Sequence, residues 1–301
     1  MNHSLSSARS FSGLFLALTL HVLLSTSAHS IEVTDNFGRM ITLEKPANRI
    51  ISLAPHTTEN LFSAGAGDRI IAVVEYSDYP EAANSLPSLG SYAQFSIETI
   101  VSMQPDLIVA WRGGNNGEAL DQLERLGMTI YYSEPRSFDD ILVNIRNFSK
   151  LADSEDKMDP SVNQIMETIT KNRKQFQDRS PVTVFYQVWS DPLMTLNGEH
   201  FITHVLEVCG AVNLFAELPI IAPRVDIESV IAANPDAIVT GTNDDNPADM
   251  SMWHKWTSIN AVKHNHFLFV DSDSMHRHTM RMLNSIEGFC RQIDTVRQAS
   301  H

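Results

Sequence analysis

One stretch of this chain is written twice. Ile97-Glu-Thr-Ile-Val-Ser-Met-Gln-Pro-Asp-Leu-Ile-Val-Ala-Trp111 is echoed by Ile227-Glu-Ser-Val-Ile-Ala-Ala-Asn-Pro-Asp-Ala-Ile-Val-Thr-Gly241, with Ile, Glu, Pro, Asp, Ile and Val at matching places. Each copy reads as a short helix, a Pro-Asp corner and a buried strand. The copies lie too far apart for a solenoid period, so they predict two lobes of similar plan. Each lobe offers one glutamate, Glu98 or Glu228, at the start of its helix. Two lobes with a cleft between them make a natural ligand trap, although the repeat does not name the ligand.

The N-terminus predicts a secretory signal over residues 1–30. Arg9 supplies the positive charge, Leu14–Leu24 the apolar core, and small residues follow through Ala28 and Ser30. The apolar run is too short and wrongly flanked for a transmembrane helix. No cysteine follows it, which argues against a lipid anchor. A soluble, exported mature chain is expected. Its formal charge of −14 argues against nucleic acid and anionic membrane as partners. The two cysteines, Cys209 and Cys290, read as a disulfide stapling the second lobe; the alternative is two buried free thiols.

Strand-length apolar runs alternate with helical patterns, which argues for parallel sheets. The expected strands are 49–54, 70–76, 106–111 and 129–133 in the first lobe, then 182–188, 236–241 and 266–271 in the second. Helices fit at 58–64, 97–103, 117–126, 201–208, 227–233 and 280–296. Between the lobes, Asp159 and Pro160 suit an N-cap and first helical position, and Val162, Ile165, Met166, Ile169 and Phe176 share one helical face. Lys171, Arg173 and Lys174 suit the negative end of that helix. The expected fold is therefore α/β: two small parallel-sheet lobes, 31–150 and 181–301, joined by a single long helix in 151–180. Such a connector, of about four to five turns, predicts a stiff molecule.

Signatures of catalysis are missing from the sequence: no nucleophile elbow, phosphate loop or zincin motif. Gly65-Ala-Gly67 precedes a strand and lacks a third glycine, so it reads as a helix terminator. His200 and His204 have i, i+4 spacing, but no further converging ligands are evident and no metal site is expected. A better place is the end of the last predicted strand, where Asp273, His276, Arg277, His278 and Arg281 cluster; ligand crevices of open α/β sheets lie at strand ends. Aromatics gather at other strand ends: Tyr76 and Tyr79, Trp111, and Trp189, with Tyr92 ahead of the repeated helix. Several flat rings at the same ends of successive strands predict a cleft floor. Glu98 and Glu228 follow good N-caps, Ser96 and Asp226, so each suits the positive helix end. Helix electrostatics do not explain why both lobes need one; a two-fold-symmetric partner does.

The run Arg49-Ile-Ile-Ser-Leu-Ala-Pro-His-Thr-Thr-Glu59, with Tyr76-Ser-Asp-Tyr-Pro80, Gln104-Pro-Asp-Leu-Ile-Val-Ala-Trp-Arg-Gly-Gly-Asn115 and Leu206-Glu-Val-Cys-Gly210, resembles the vitamin B12-binding proteins of bacterial ABC importers. The wider family of periplasmic binding proteins also takes ferric siderophores and haem. The resemblance covers about residues 40 to 295. It implies two α/β lobes joined by one long helix, a periplasmic location, and cobalamin as a transported ligand rather than a cofactor. It places Tyr76, Tyr92 and Trp111 against the corrin, pairs Cys209 with Cys290, and assigns Glu98 and Glu228 to docking on arginines of the two membrane subunits. His56, Trp189, Asp273 and Arg277 complete the candidate ligand set. Where relatives carry tryptophan this chain has Tyr92 and Ala222, and Val188 and Met194 replace phenylalanines. The reading is a non-enzymatic, monomeric receptor that hands cobalamin to an importer. A ferric siderophore or haem receptor is the rival, since Arg277 and Arg281 could pair with a ligand's carboxylates. A secreted α/β enzyme is the remote alternative.

Overall fold

The structure, a computed structural model, describes residues 1, 30–243 and 248–299. The expected signal lies, but for its end residues, outside the described residues. Two four-stranded sheets form the frame. The first contains Ile50–Ser52, Ile70–Ala72, Leu107–Ala110 and Ile130–Tyr132; the second contains Val182–Gln187, Ala211–Asn213, Ala237–Thr242 and Phe267–Asp271. In both, every pairing is parallel and the spatial order is second, first, third, fourth. The lobes share one topology, as the repeat predicts. Each order reverses beside its first strand, which opens a crevice at the carboxyl ends.

The repeated segment does the same work in each lobe. Ser96 and Asp226 cap the helices Ile97–Ser102 and Ile227–Ala233 through Thr99 N and Ser229 N. Gln104 and Asn234, both at φ 48°, end the helical turns in the left-handed region. The aspartate that follows the proline then ties the third strand to the first. Asp106 donates its N–H to the Arg49 carbonyl and accepts from the amides of Asn48 and Arg49. Asp236 donates to the Thr183 carbonyl and accepts from the Thr183 amide and hydroxyl. Leu107–Ala110 and Ala237–Val239 are fully buried, which explains their unbroken apolar sequence.

Three of the departures from the sequence expectation bear on how the lobes are built and joined. The helix Phe138–Ala152, opened by a Ser137–Asp140 capping box, ends the first lobe ahead of the connector and was not among the expected helices. The connector does not start as an α-helix at Pro160. Asp159 caps a short 3-10 turn, Pro160–Asn163, and the α-helix runs from Ile165 to Phe176. Its 12 residues span about 18 Å, shorter than expected. Val162, Ile165, Ile169 and Phe176 are buried along one face as predicted. The second-lobe sheet also gains the edge strand Ala211–Asn213, too short to show a pattern.

The connector packs against the helix Phe201–Val208 and the terminal helix Met280–Ala299, which also touches the first-lobe helix Pro55–Ser63. One apolar core runs from Ile50 and Leu107 through Ile169 and Phe176 to Val184 and Val239. The lobes are thus joined by packed side chains as well as by the chain itself. Among the described residues no helix is long and apolar enough to cross a membrane.

Candidate ligand-binding site

Where the two lobes face each other, a cavity of about 310 Å³ is lined by Pro55, His56, Tyr76, Tyr92 and Trp111 from the first lobe and Asp273, His276, Arg277 and His278 from the second. Six of the seven predicted ligand residues converge here. Trp111 lies just past its strand, with His56 edge-on to it at 5.6 Å between ring centres and Tyr92 tilted against it at 5.7 Å. Tyr76 is 72% exposed and sits at φ 62°. A bulky residue rarely adopts this left-handed conformation, and such backbone is kept where a side chain must be aimed.

Asn115 holds this wall together from behind. Its side-chain oxygen accepts from the Trp111 amide at 2.7 Å, and its amide nitrogen donates to the carbonyls of Leu53 at 2.7 Å and Tyr92 at 2.6 Å. One buried amide therefore ties three loops to a common frame. Opposite, the Tyr186 hydroxyl meets His276 Nε2 at 2.8 Å.

The imidazoles of the wall are neutral. Burial pushes His56 down to about 4, with Arg277 adding to the shift against a backbone hydrogen bond at Ser133. Burial pushes His278 down to about 3, and His56 and His276 add to it. His56 Nε2 is buried without a hydrogen-bond partner.

Both cations of this wall are engaged by carboxylates of the protein itself. Arg277 binds Glu59 at 3.1 Å, Asp78 at 2.7 Å and Asp273 at 3.1 Å. Arg281 donates to both oxygens of Glu59, at 2.8 and 2.5 Å, and lies 3.9 Å over the Tyr79 ring. Sequence reasoning missed the carboxylate side of this network, Glu59 and Asp78, and it missed Asn115. Glu59 stood in view within Pro55-His-Thr-Thr-Glu59, but nothing local signals a partner in the other lobe.

The remaining predicted residues lie elsewhere. Trp189, 54% exposed, lines a separate cavity of about 140 Å³ with Gln187, Val188, Thr240 and Gly241. Gly241 of that cavity packs closely on His276 of the first: an added Cβ would come within 2.8 Å of the ring. Glu98 and Glu228 are exposed in the first turns of their equivalent helices. Cys209 and Cys290 form a disulfide between two fully buried positions. His200 is not an exposed ligand: it caps the helix Phe201–Val208, its Nδ1 accepting from Ile202 N, while His204 packs on Phe138 and Phe201. Among the described residues no group of three His, Cys, Asp or Glu is placed to hold a metal ion.

Comparison with known proteins fits this geometry. The sequence pattern of the periplasmic binding protein family matches residues 50–274. The vitamin B12-binding protein of Vibrio parahaemolyticus is 34% identical over 263 residues, 87% of this chain and 95% of its own length. The crystal structure of the periplasmic vitamin B12 binding protein BtuF of Vibrio cholerae superposes with a TM-score of 0.77 at 35% identity, covering 84% of this chain and 99% of that one. The periplasmic heme-binding protein RhuT of Roseiflexus shares the fold, with a TM-score of 0.69 at 20% identity over 84% of this chain and 100% of its own. With that match, and with relatives this similar, the chain belongs to the periplasmic binding protein family, beside the vitamin B12-binding proteins.

Proposed function

We propose that this chain is an exported receptor that captures cobalamin between its lobes and delivers it to an ABC importer. The observation that carries the reading is the composition of the cleft: three aromatic rings and neutral imidazoles form its walls, while both nearby guanidiniums are engaged by protein carboxylates. A corrin is a broad ring rimmed by neutral amides. Flat aromatic faces suit its plane, and a charge-balanced rim asks for no anionic ligand. Haem propionates or siderophore anions would have to displace protein carboxylates from these guanidiniums.

Glu98 and Glu228 are proposed to dock the loaded receptor on two basic sites of the membrane partner. Both are exposed, occupy matching places in the two lobes, and form no ion pair among the described residues. Helices that connect parallel strands run against them, so their first turns lie on the carboxyl-end side of each sheet, where the cleft opens. Protein purified from cobalamin-containing medium is expected to carry the red corrin absorption. Colourless protein that also takes up no cyanocobalamin on mixing contradicts the proposal.

A further inference from the structure

Trp111 is anchored by a residue that does not line the cavity. The indole Nε1 donates to Glu134 Oε1 at 3.3 Å, and the Gly113 amide donates to Glu134 Oε2 at 2.8 Å. One carboxylate thus grips both the ring and the loop beneath it. The loop is fitted to that grip. A Cβ on Gly113 would lie 2.7 Å from Glu134 Oε1, and one on Gly114 would lie 2.1 Å from Trp111 Cε3, so the Gly-Gly pair lets the backbone fold directly under the indole. Glu134 is itself fixed from the far side. Its amide donates to Asn36 Oδ1 at 2.8 Å, and Asn36 Oδ1 also accepts from Asn144 Nδ2, whose side chain binds Tyr131 and Ser133. This network runs from the helix Phe138–Ala152 to the indole. Among the described residues Glu134 forms no ion pair, so its oxygens serve these two donors.

We propose that Glu134 is a positioning residue for ligand capture. Its carboxylate holds the Trp111 ring in the binding-competent orientation, so that a corrinoid meets a preformed wall and does not have to order it. The proposal rests on the reading that this cavity takes a corrinoid. Binding gains when the groups that touch the ligand are already locked by neighbours behind them.

A double-mutant cycle with cyanocobalamin as the probe tests it. In Glu134→Gln a single carbonyl oxygen remains, and one of the two donors loses its acceptor. Glu134→Gln is expected to raise Kd about tenfold in the wild-type background, and by less than about twofold in the Trp111→Phe background, where no indole N–H remains. Equal losses in both backgrounds, or no loss in either, overturn the proposal. Glu134→Ala, which removes both acceptors, is expected to bind more weakly than Glu134→Gln; the reverse order also overturns it. Circular-dichroism melts establish that each variant is folded at the assay temperature. If wild-type protein itself takes no cyanocobalamin, the functional reading falls, and a second measurement still judges Glu134. Trp111 emission in ligand-free protein, isolated by difference against Trp111→Phe, is expected to be quenched more readily by acrylamide in Glu134→Gln, and unchanged quenching overturns the positioning role.

Discussion

Glu59 and Arg277 meet across the lobe junction at 3.1 Å, although 218 residues separate them in the chain. The Glu59 side chain is 2% exposed and also holds Arg281, so one first-lobe carboxylate fastens two second-lobe arginines beside the cavity. Removing one partner of a buried pair strands the others. Glu59→Ala is expected to destabilise the fold by about 3 kcal/mol, the low end for such a loss, because Asp78 and Asp273 still face Arg277. Urea unfolding measures this. A change below about 0.5 kcal/mol would show that the junction does not depend on the pair.

Acid sensitivity should come first from the histidines that burial holds neutral. His56 is held near 4, and His278 and, outside the cavity, His200 near 3, against an unfolded value of 6.5. The unfolded chain therefore takes up protons below pH 6.5 while the folded chain does not. This contribution is fully present above pH 6.5 and is lost as pH falls toward the folded values, by at most about 2 kcal/mol per histidine between pH 6.5 and 5. Denaturation midpoints at pH 7, 6 and 5 should fall, and His56→Asn should flatten the slope. A flat profile for wild-type protein over this range contradicts the burial argument.

The Cys209–Cys290 disulfide spans 81 positions of the chain. Closing a loop of that length restricts the unfolded state by about 4 kcal/mol on chain-entropy reasoning. Replacing both cysteines by alanine is expected to cost roughly that amount, and thiol labelling of unreduced, unfolded wild-type protein should find no free thiol. Two labelled cysteines would contradict the pairing.

Docking and capture are expected to separate. Glu98→Lys with Glu228→Lys should abolish uptake while leaving cobalamin affinity nearly unchanged, since like charges at an interface cost several kcal/mol. If the glutamates only favour their helix ends, the double variant loses about 0.3–1 kcal/mol of stability per site and transports normally. Uptake and affinity measured on the same variant distinguish the two.

The parts of this structure legible in the sequence are those with a local period. The repeat predicted both helix–corner–strand units because capping, a left-handed stop and a Pro-Asp corner are all encoded within about fifteen residues. Tyr92 and Trp111 could be placed near each other because each flanks that unit. Ala211–Asn213 escaped notice because a three-residue strand with Val212 exposed carries no pattern. The connector's interruption before Ile165 was hidden by apolar positions that keep helical spacing straight through it. The Glu59 network, and the grip of Glu134 on Trp111, were invisible for another reason. They join residues whose proximity depends on the finished topology, and no spacing records it.

The aromatic wall at Trp111 is proposed to bind a corrinoid. Titration calorimetry of wild-type and Trp111→Ala protein with cyanocobalamin tests it most directly. Saturable binding by wild-type protein is expected, weakened by about 2 kcal/mol or more when the anchor ring is removed. No heat at high micromolar protein, together with clear binding of a ferric siderophore or haem, would contradict it.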